Sequence, residues 1–164
     1  MPAQFVHLRL HSAFSLTEST LRVGTLVKLV SDDSQPAAAI TDTNNMFGAL
    51  EFAQSMAAAG VQPIMGTQIE LEDKAGRGDV VLLAQNETGY GNLSQLLSKI
   101  LLSSDAVHSP ACAVGDLASH SDGLILLTGG ALTGFVGRPA GDGRATLAQQ
   151  RLESLAAILP GRLY

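Results

Sequence analysis

Aromatic side chains are scarce in this 164-residue chain, which has no tryptophan, two tyrosines and five phenylalanines. Hydrophobic residues nevertheless make up 46% of the sequence, and most of them are aliphatic. A chain of this length and composition can bury one continuous core. We therefore expect a single globular domain over residues 1–164, with a core of small and aliphatic side chains.

Positive charge is also sparse, since ten Lys and Arg stand against fifteen Asp and Glu and give a net charge of −5. The basic residues never form a run along the chain. A duplex-binding surface usually appears as a clustered basic patch. We therefore expect no direct DNA binding by this segment.

Cysteine occurs once, as Cys112, which excludes an internal disulfide and is typical of a reducing compartment. No Lys, Arg or His flanks it, so nothing indicates a reactive thiolate. The first residues lack the charged-then-apolar layout of a signal peptide, and no apolar run reaches the length of a membrane span. These absences predict a soluble, cytoplasmic protein without membrane contact.

The most regular part of the sequence lies between residues 36 and 71. An apolar run typical of a buried strand is followed by four polar residues suited to turns and caps, then by apolar residues at helical spacing. Gly60 is expected to end this helix. The predicted elements are a strand over Ala37–Thr41, a helix over Phe47–Ala59 and a strand over Val61–Leu71. This order predicts a βαβ unit, whose two strands lie parallel.

The same patterns predict elements along the rest of the chain. The expected strands are Phe5–Leu10, Asp79–Ala84, Gly123–Thr128 and the start of one at Arg162–Tyr164. The expected helices are Leu21–Ser31 with Thr20 as N-cap, Asn92–Ser103, Val114–Ser119 and Thr146–Leu159. A hairpin turn is expected over Glu72–Gly78, an irregular segment over Ser104–Ala113 and a Gly/Pro loop over Gly137–Gly143. About six strands alternating with about five helices indicate an α/β fold.

Three residues with metal-binding side chains follow neighbouring predicted strands. His11 ends the first strand, Glu18 lies in the loop after it, and Asp42 ends the next strand. In parallel α/β folds, functional residues lie on loops at these strand ends, and one imidazole with two carboxylates could form a metal site. The alternative is that His11 is a hydrogen-bonded strand-end residue and Asp42 a helix N-cap. The residues alone favour this alternative.

The remaining histidines offer no second constellation. His7 is expected to pack against the protein, whereas His108 and His120 are expected to be solvated. The sequence contains no P-loop, no GxGxxG, no GxSxG and no CxxC pair, so no common phosphate-binding, hydrolase or redox motif is present.

Four segments, taken in order and spacing, resemble one family. They are FVHLRLHSAFSL, AAAITDTNNMFGALEFAQSMAAAGVQPIMGTQIEL, VLLAQNETGYGNLSQLLSK and DGLILLTGG. These segments resemble the N-terminal PHP domain (polymerase and histidinol phosphatase) of bacterial replicative DNA polymerase III alpha subunits, of the proteobacterial type. The resemblance implies a distorted α/β barrel. Because the family's domain is longer than 164 residues, it also implies a barrel truncated before it is complete.

Active PHP domains hold divalent metals at the C-terminal face of the barrel and hydrolyse phosphoesters. The family's ligand positions fall here on Arg9, His11, Glu18, Asp42, Thr43, Gln68, Asp79 and Gly130. At four of them, Arg9, Thr43, Gln68 and Gly130, the side chain offers no good metal ligand. The resemblance therefore implies a vestigial pocket with no metal and no catalytic residue. We expect Arg9 to replace the missing cation by pairing with Asp42 or Glu18.

The resemblance further implies a parent enzyme that extends DNA from deoxynucleoside triphosphates, a DNA-directed DNA polymerase and nucleotidyltransferase of DNA replication. Within it, this domain is expected to be catalytically inactive and structural, and to dock the separate proofreading exonuclease subunit. Its other partner would be the rest of the alpha subunit. An incomplete barrel would expose an apolar edge, which predicts that the fragment self-associates.

Two alternatives remain at this point. One is a metal-dependent phosphoesterase or 3′–5′ exonuclease with a reduced ligand set, in which His11, Glu18, Asp42 and Asp79 hold Zn or Mn. The other is an unrelated α/β domain. Metal content would test the first alternative, and strand order the second.

Overall fold

The computed structural model describes residues 5–103 and 110–164. The chain forms two compact units, Met1–Thr67 and Gln68–Tyr164. The elements in chain order are α1 (Val23–Asp32), β1 (Ala37–Ile40), α2 (Ala49–Ala58), β2 (Gln62–Asp73), β3 (Gly76–Ala84), α3 (Glu87–Leu101), β4 (Cys112–Ala113), α4 (Val114–Ser119), β5 (Leu124–Leu127), α5 (Gly137–Gly141) and α6 (Ala145–Ile158). This alternation confirms the predicted α/β class.

The first unit contains the predicted βαβ arrangement. β1 pairs in parallel with the start of β2, in a register that runs from Ala37↔Gln62 to Ile40↔Met65. Between them, α2 ends just before Gly60, whose φ of 72° is readily adopted only by glycine. Buried apolar side chains of α1, β1 and α2 form one core: Val23, Val27, Val30, Ala38, Ile40, Phe52 and Met56, together with Val61. The parallel strand pairing predicted from the sequence is thus confirmed.

The segment predicted as the first strand forms only one β-bridge, between His7 and Ala38. Its carbonyls do bind β1, since the Ala39 and Thr41 backbone N–H groups donate to the His7 and Leu10 carbonyls at 2.8 Å each. Its own N–H groups donate instead to side chains, from His7 to Gln35 Oε1 and from Leu10 to Thr41 Oγ1. These two N–H groups therefore bind side-chain oxygens instead of the backbone carbonyls of a neighbouring strand. The prediction of a full strand was wrong.

The second unit is built on β2, β3 and β5. The two-residue turn Lys74–Ala75 joins β2 to β3, so most of the predicted turn over Glu72–Gly78 is strand. β5 pairs with β3 antiparallel, and β4 pairs with β2 in parallel. Through hydrogen-bonded neighbours the strand order is β1-β2-β3-β5, and in the described residues this path does not close into a barrel.

Other boundaries differ from the predictions for local reasons. α3 begins at Glu87 rather than Asn92, because the Asn86 side chain caps it by accepting the Gly89 N–H at 3.0 Å. Arg22, not Thr20, precedes α1. The predicted Gly/Pro loop contains α5, where Pro139 lies inside the first turn and tolerates helical geometry.

The chain ends in an isolated parallel bridge between Leu126 and Leu163, at the site of the predicted strand start. In the predicted irregular segment, Cys112–Ala113 is strand β4, while residues 104–109, with His108, lie outside the described residues. No helix among the described residues is long and apolar enough to span a bilayer.

Gly89 marks the closest approach of α3 to the turn before β5. A Cβ at this position would lie 2.0 Å from the Gly123 carbonyl oxygen, whereas a Cβ at Gly91, in the same helix, would have no atom within 4 Å. We expect Gly89→Ala to lower the free energy of unfolding by about 1–3 kcal/mol through overpacking. Gly91→Ala should raise it by up to about 1 kcal/mol through helix propensity. Urea unfolding of both variants checks this, and equal midpoints would contradict the packing.

Candidate functional site

Five of the eight predicted pocket residues lie in the first unit, on two loops and the segment before them. Arg9 and His11 lie in the extended segment, Glu18 in the loop that follows it, and Asp42 and Thr43 in the loop after β1. These two loops are joined by a hydrogen-bond network centred on carboxylates.

Asp42 is 1% exposed, and both of its carboxylate oxygens accept hydrogen bonds. Oδ1 accepts from the Ser12 backbone N–H at 2.6 Å and from Ser15 Oγ at 2.6 Å. Oδ2 accepts from Ser12 Oγ at 2.7 Å. The prediction that Asp42 is a helix N-cap was wrong, because α2 begins only at Ala49 with Gly48 as its N-cap. Asp42 instead anchors the preceding loop.

The two serines extend this contact between the loops. Ser12 and Ser15 are 0% and 1% exposed. Ser15 Oγ also accepts the Thr43 backbone N–H at 3.1 Å, and Thr67 Oγ1 donates to the Asp42 carbonyl at 2.8 Å. Sequence reasoning missed both serines, since it treated the segment after the first strand only as a polar loop. The sequence did contain one indication of their role. The two serines are three positions apart, in a loop that was expected to lie near the end of the strand before Asp42.

A second carboxylate contact lies beside the first. Glu18 Oε2 is 3.0 Å from His11 Nδ1 and accepts a hydrogen bond from Thr43 Oγ1 at 2.7 Å. The His11 carbonyl accepts from Ser19 Oγ at 2.8 Å. His11 is thus hydrogen-bonded through its carbonyl, but the strand that it was expected to end is not formed. Thr43, one of the predicted pocket residues, serves as a hydroxyl donor.

Arg9 is exposed and lies in the extended segment before His11. Its predicted ion pair with Asp42 or Glu18 stays a prediction. The hydrogen bonds of Asp42 and Glu18 described above already provide donors to both carboxylates.

Asn44 follows Thr43 in the left-handed region, with a φ of 55° that asparagine tolerates better than most residues. Its Oδ1 atom is buried and has no hydrogen-bond partner among residues 5–103 and 110–164. An amide oxygen can bind a hard cation only as one of several oxygen ligands. The nearby carboxylate of Asp42 is already committed to serine donors.

The other three predicted pocket residues lie in the second unit. Gln68 is buried, and Asp79 is half-buried. The Asp79 backbone N–H donates to the Thr133 carbonyl at 2.8 Å, and the Asp79 carbonyl accepts the Phe135 N–H at 2.9 Å. The Gly130 carbonyl accepts the Gly134 N–H at 2.9 Å. Asp79 and Gly130 therefore stabilise the loop before α5 through their backbones.

A metal cluster does not fit these residues. Within the described ranges, no three His, Cys, Asp or Glu side chains are placed to hold a metal ion. In the first unit, both oxygens of Asp42 and one of Glu18 bind protein donors. A divalent cation needs several deprotonated ligands that converge on one point.

The other singled-out residues have structural contacts. The His7 ring bonds the Gln35 amide at 2.7 Å, so it packs as predicted. His120 was predicted to be solvated, but it is only partly exposed, and its Nδ1 bonds the Asp116 carbonyl at 2.8 Å. Burial, with the Asp116 charge as a smaller cause, raises the pKa of the Cys112 thiol to about 12. Cys112 is therefore a protonated core residue.

Comparison with known proteins agrees with this architecture. The family model described as PHP domain matches residues 7–164. A DNA polymerase III subunit alpha from Caulobacter vibrioides is 39% identical, over 98% of this chain and 15% of that protein. One from Vibrio cholerae is 38% identical, over 82% of this chain and 12% of that protein. The chain thus spans a small part of the length of these curated relatives.

A solved structure shows the same fold at low sequence identity. It is described as a metal-dependent phosphoesterase from Bifidobacterium adolescentis, with a TM-score of 0.60 and 13% identity, over 77% of this chain and 66% of that one. At this identity the likeness concerns the fold alone. The family match, the curated relatives and the fold together exclude an unrelated α/β domain. The chain belongs to the PHP domain family.

Proposed function

We propose that this chain is a catalytically inactive PHP domain and serves as a structural module of a DNA polymerase III alpha subunit. The curated relatives support the parent enzyme. The single observation that supports inactivity is the hydrogen bonding of Asp42, because both of its carboxylate oxygens accept hydrogen bonds from Ser12 and Ser15. These three hydrogen bonds satisfy the Asp42 carboxylate without a metal ion.

A buried carboxylate needs hydrogen bonds or a cation, because leaving it unpaired is very costly. In this chain Ser12 and Ser15 supply donors to Asp42, and His11 and Thr43 contact Glu18. Side chains of the two loops thus provide the compensation that bound metals give in an active PHP domain. The pocket can keep its shape without metals, which suits a structural role.

The partners follow from the resemblance and are part of the proposal. The domain would contact the rest of the alpha subunit, dock the proofreading exonuclease subunit and work in the cytoplasm. Direct DNA binding by this domain is not expected. Self-association of the isolated chain is measured by light scattering at micromolar concentration, where a clean monomer would count against it.

The activity test uses the purified chain with added Zn²⁺ or Mn²⁺. We expect no hydrolysis of a chromogenic phosphate ester and no 3′–5′ degradation of a primer–template, with no difference between the parent chain and His11→Ala. Metal content, measured by mass spectrometry after dialysis, should be well below one ion per chain. Metal-stimulated turnover that His11→Ala abolishes would overturn the proposal and favour the phosphoesterase with a reduced ligand set.

A further inference from the structure

Four of the chain's ten basic residues line one cavity in the second unit. The cavity has a volume of about 270 Å³, and the charged residues in its lining, within the part of the chain that the structure describes, are arginines: Arg77, Arg138, Arg144 and Arg151. Arg138, Arg144 and Arg151 are six and seven positions apart in the sequence and Arg77 is distant from them, so they form no basic run. None belongs to the vestigial pocket.

Two of these arginines form ion pairs with acidic residues. Arg151 donates to both oxygens of Asp73, at 2.7 and 2.8 Å, and to two backbone carbonyls. Arg77 contacts Glu72 at 3.2 Å. Arg77 also lies 3.9 Å from Glu70. The guanidinium groups of Arg77 and Arg151 are therefore fixed in position, and carboxylates balance their charge.

The other two arginines share a single carboxylate. Asp142 Oδ2 lies 3.3 Å from Arg144 and 3.9 Å from Arg138, so only the first contact is a hydrogen bond. Each guanidinium carries five N–H donors. Both side chains are about half exposed, at 57% for Arg138 and 51% for Arg144. This pair thus has many more donors than its one acidic partner can accept.

The start of α6 adds to the positive field at the same place. Its N-cap is Arg144, no side chain of the described residues caps the helix, and its first turn contains no acidic residue. The N-terminal end of a helix carries a partial positive charge that favours anions. An anion between Arg138 and Arg144 would compensate both the guanidinium groups and this end of α6.

We propose that this cavity binds a phosphate group, either as free inorganic phosphate or as the phosphate of a small monoester, between Arg138 and Arg144. Paired guanidinium groups match the oxygens of phosphate geometrically, with strong charge-assisted hydrogen bonds. The cavity lies just below the range of about 300–1,000 Å³ that is usual for larger organic ligands. The volume is sufficient for a single phosphate group.

The test is calorimetric titration of the chain with inorganic phosphate, in a buffer whose only other anion is chloride. We expect the double variant Arg138→Gln/Arg144→Gln to bind at least about tenfold more weakly, since hydrogen bonds between charged partners are lost. Arg22→Gln is the matched control, because it removes an exposed arginine in the first unit. It should bind phosphate as the parent chain does. Backbone amide NMR shifts should change over residues 137–151.

Both altered side chains are exposed, so thermal melting should show that the double variant folds like the parent. A second titration, with glycerol phosphate, distinguishes the source. Tighter binding of the ester assigns the site to a phosphate carried by a larger molecule, and tighter binding of the ion assigns it to free phosphate. Equal binding by the double variant and the Arg22→Gln control, or no binding by the parent chain at millimolar phosphate, would overturn the proposal.

Discussion

Replacing Arg151 with methionine is expected to lower the free energy of unfolding by about 3–5 kcal/mol, as in other broken buried ion pairs. Arg151 is 4% exposed although it carries a full charge. Its guanidinium group bridges three parts of the second unit, since it binds the Asp73 carboxylate and the carbonyls of Gly76 and Phe135. Methionine keeps most of the volume but leaves all these acceptors without their donor.

The geometry requires arginine rather than any cation. The Asp73 contact is bidentate, and the Arg151 guanidinium carbon lies 4.0 Å from the centre of the Phe135 ring. A lysine ammonium is a point charge that cannot make the parallel pair of bonds and stack at the same time. Arg151→Lys should therefore restore only part of the lost stability. Arg22→Met, at an exposed position, should change stability by less than about 0.5 kcal/mol.

The contact between Arg151 and Asp73 also makes the free energy of unfolding depend on pH. Hydrogen bonds from Arg151 hold the pKa of Asp73 below its ordinary value of 3.8. Because the folded pKa is lower than the unfolded one, the contribution of Asp73 is complete above about pH 4 and is lost as the pH falls through the folded pKa. Urea unfolding at neutral pH and near pH 3 should therefore show a smaller acid effect in Arg151→Met than in the parent chain. Equal acid effects in the two proteins would contradict this role of Arg151.

Periodicity and turn chemistry were enough to predict much of this fold. The apolar run before Asp42, the helical spacing after it and the stop at Gly60 predicted the parallel βαβ unit, which the structure confirms. β5 and α6 were also placed to within one residue at each end. These elements bury one regular apolar face, and the sequence encodes that face directly.

Contacts between distant polar residues could not be predicted in this way. The partners of Arg151 are 16 to 78 positions away in the sequence, and nothing near it marks a buried cation. The family ligand positions led to Asp42 but not to its serine donors. The segment around His7 was predicted to be a full strand because its apolar residues alternate strongly. Its N–H groups instead donate to the side chains of Gln35 and Thr41. Tertiary hydrogen bonding decided each of these cases.

Asp42→Ala is expected to destabilise the chain by about 3 kcal/mol or more, because each buried donor left without a partner costs about 1–3 kcal/mol. Three donors would lose their acceptor, namely the backbone N–H of Ser12 and the hydroxyl groups of Ser12 and Ser15. The serines are almost fully buried, so water cannot easily replace the carboxylate. The hydroxyl groups can rotate, which keeps the loss below the full sum of three penalties.

Asp42→Asn separates this structural role from that of a metal ligand. The amide keeps one oxygen for the Ser12 N–H and the Ser15 hydroxyl, and its NH₂ group can donate to Ser12 Oγ, which then acts as acceptor. We expect a loss of only about 1–2 kcal/mol, clearly smaller than for alanine. A carboxylate needed for a metal would instead lose its function almost equally in both variants, because the amide is a poor ligand for borderline metals.

The matched control is Asp32→Ala, which removes a carboxylate that is 60% exposed and paired with Lys28 four residues away. Exposed pairs of this kind contribute about 0.3–0.5 kcal/mol, so this variant should be close to the parent chain. Urea unfolding of the three variants gives the comparison. If Asp42→Ala were no worse than Asp32→Ala, the serine contacts would not stabilise the pocket. If Asp42→Asn and Asp42→Ala were equally destabilised, the charge of the carboxylate rather than its hydrogen-bond geometry would hold the two loops together.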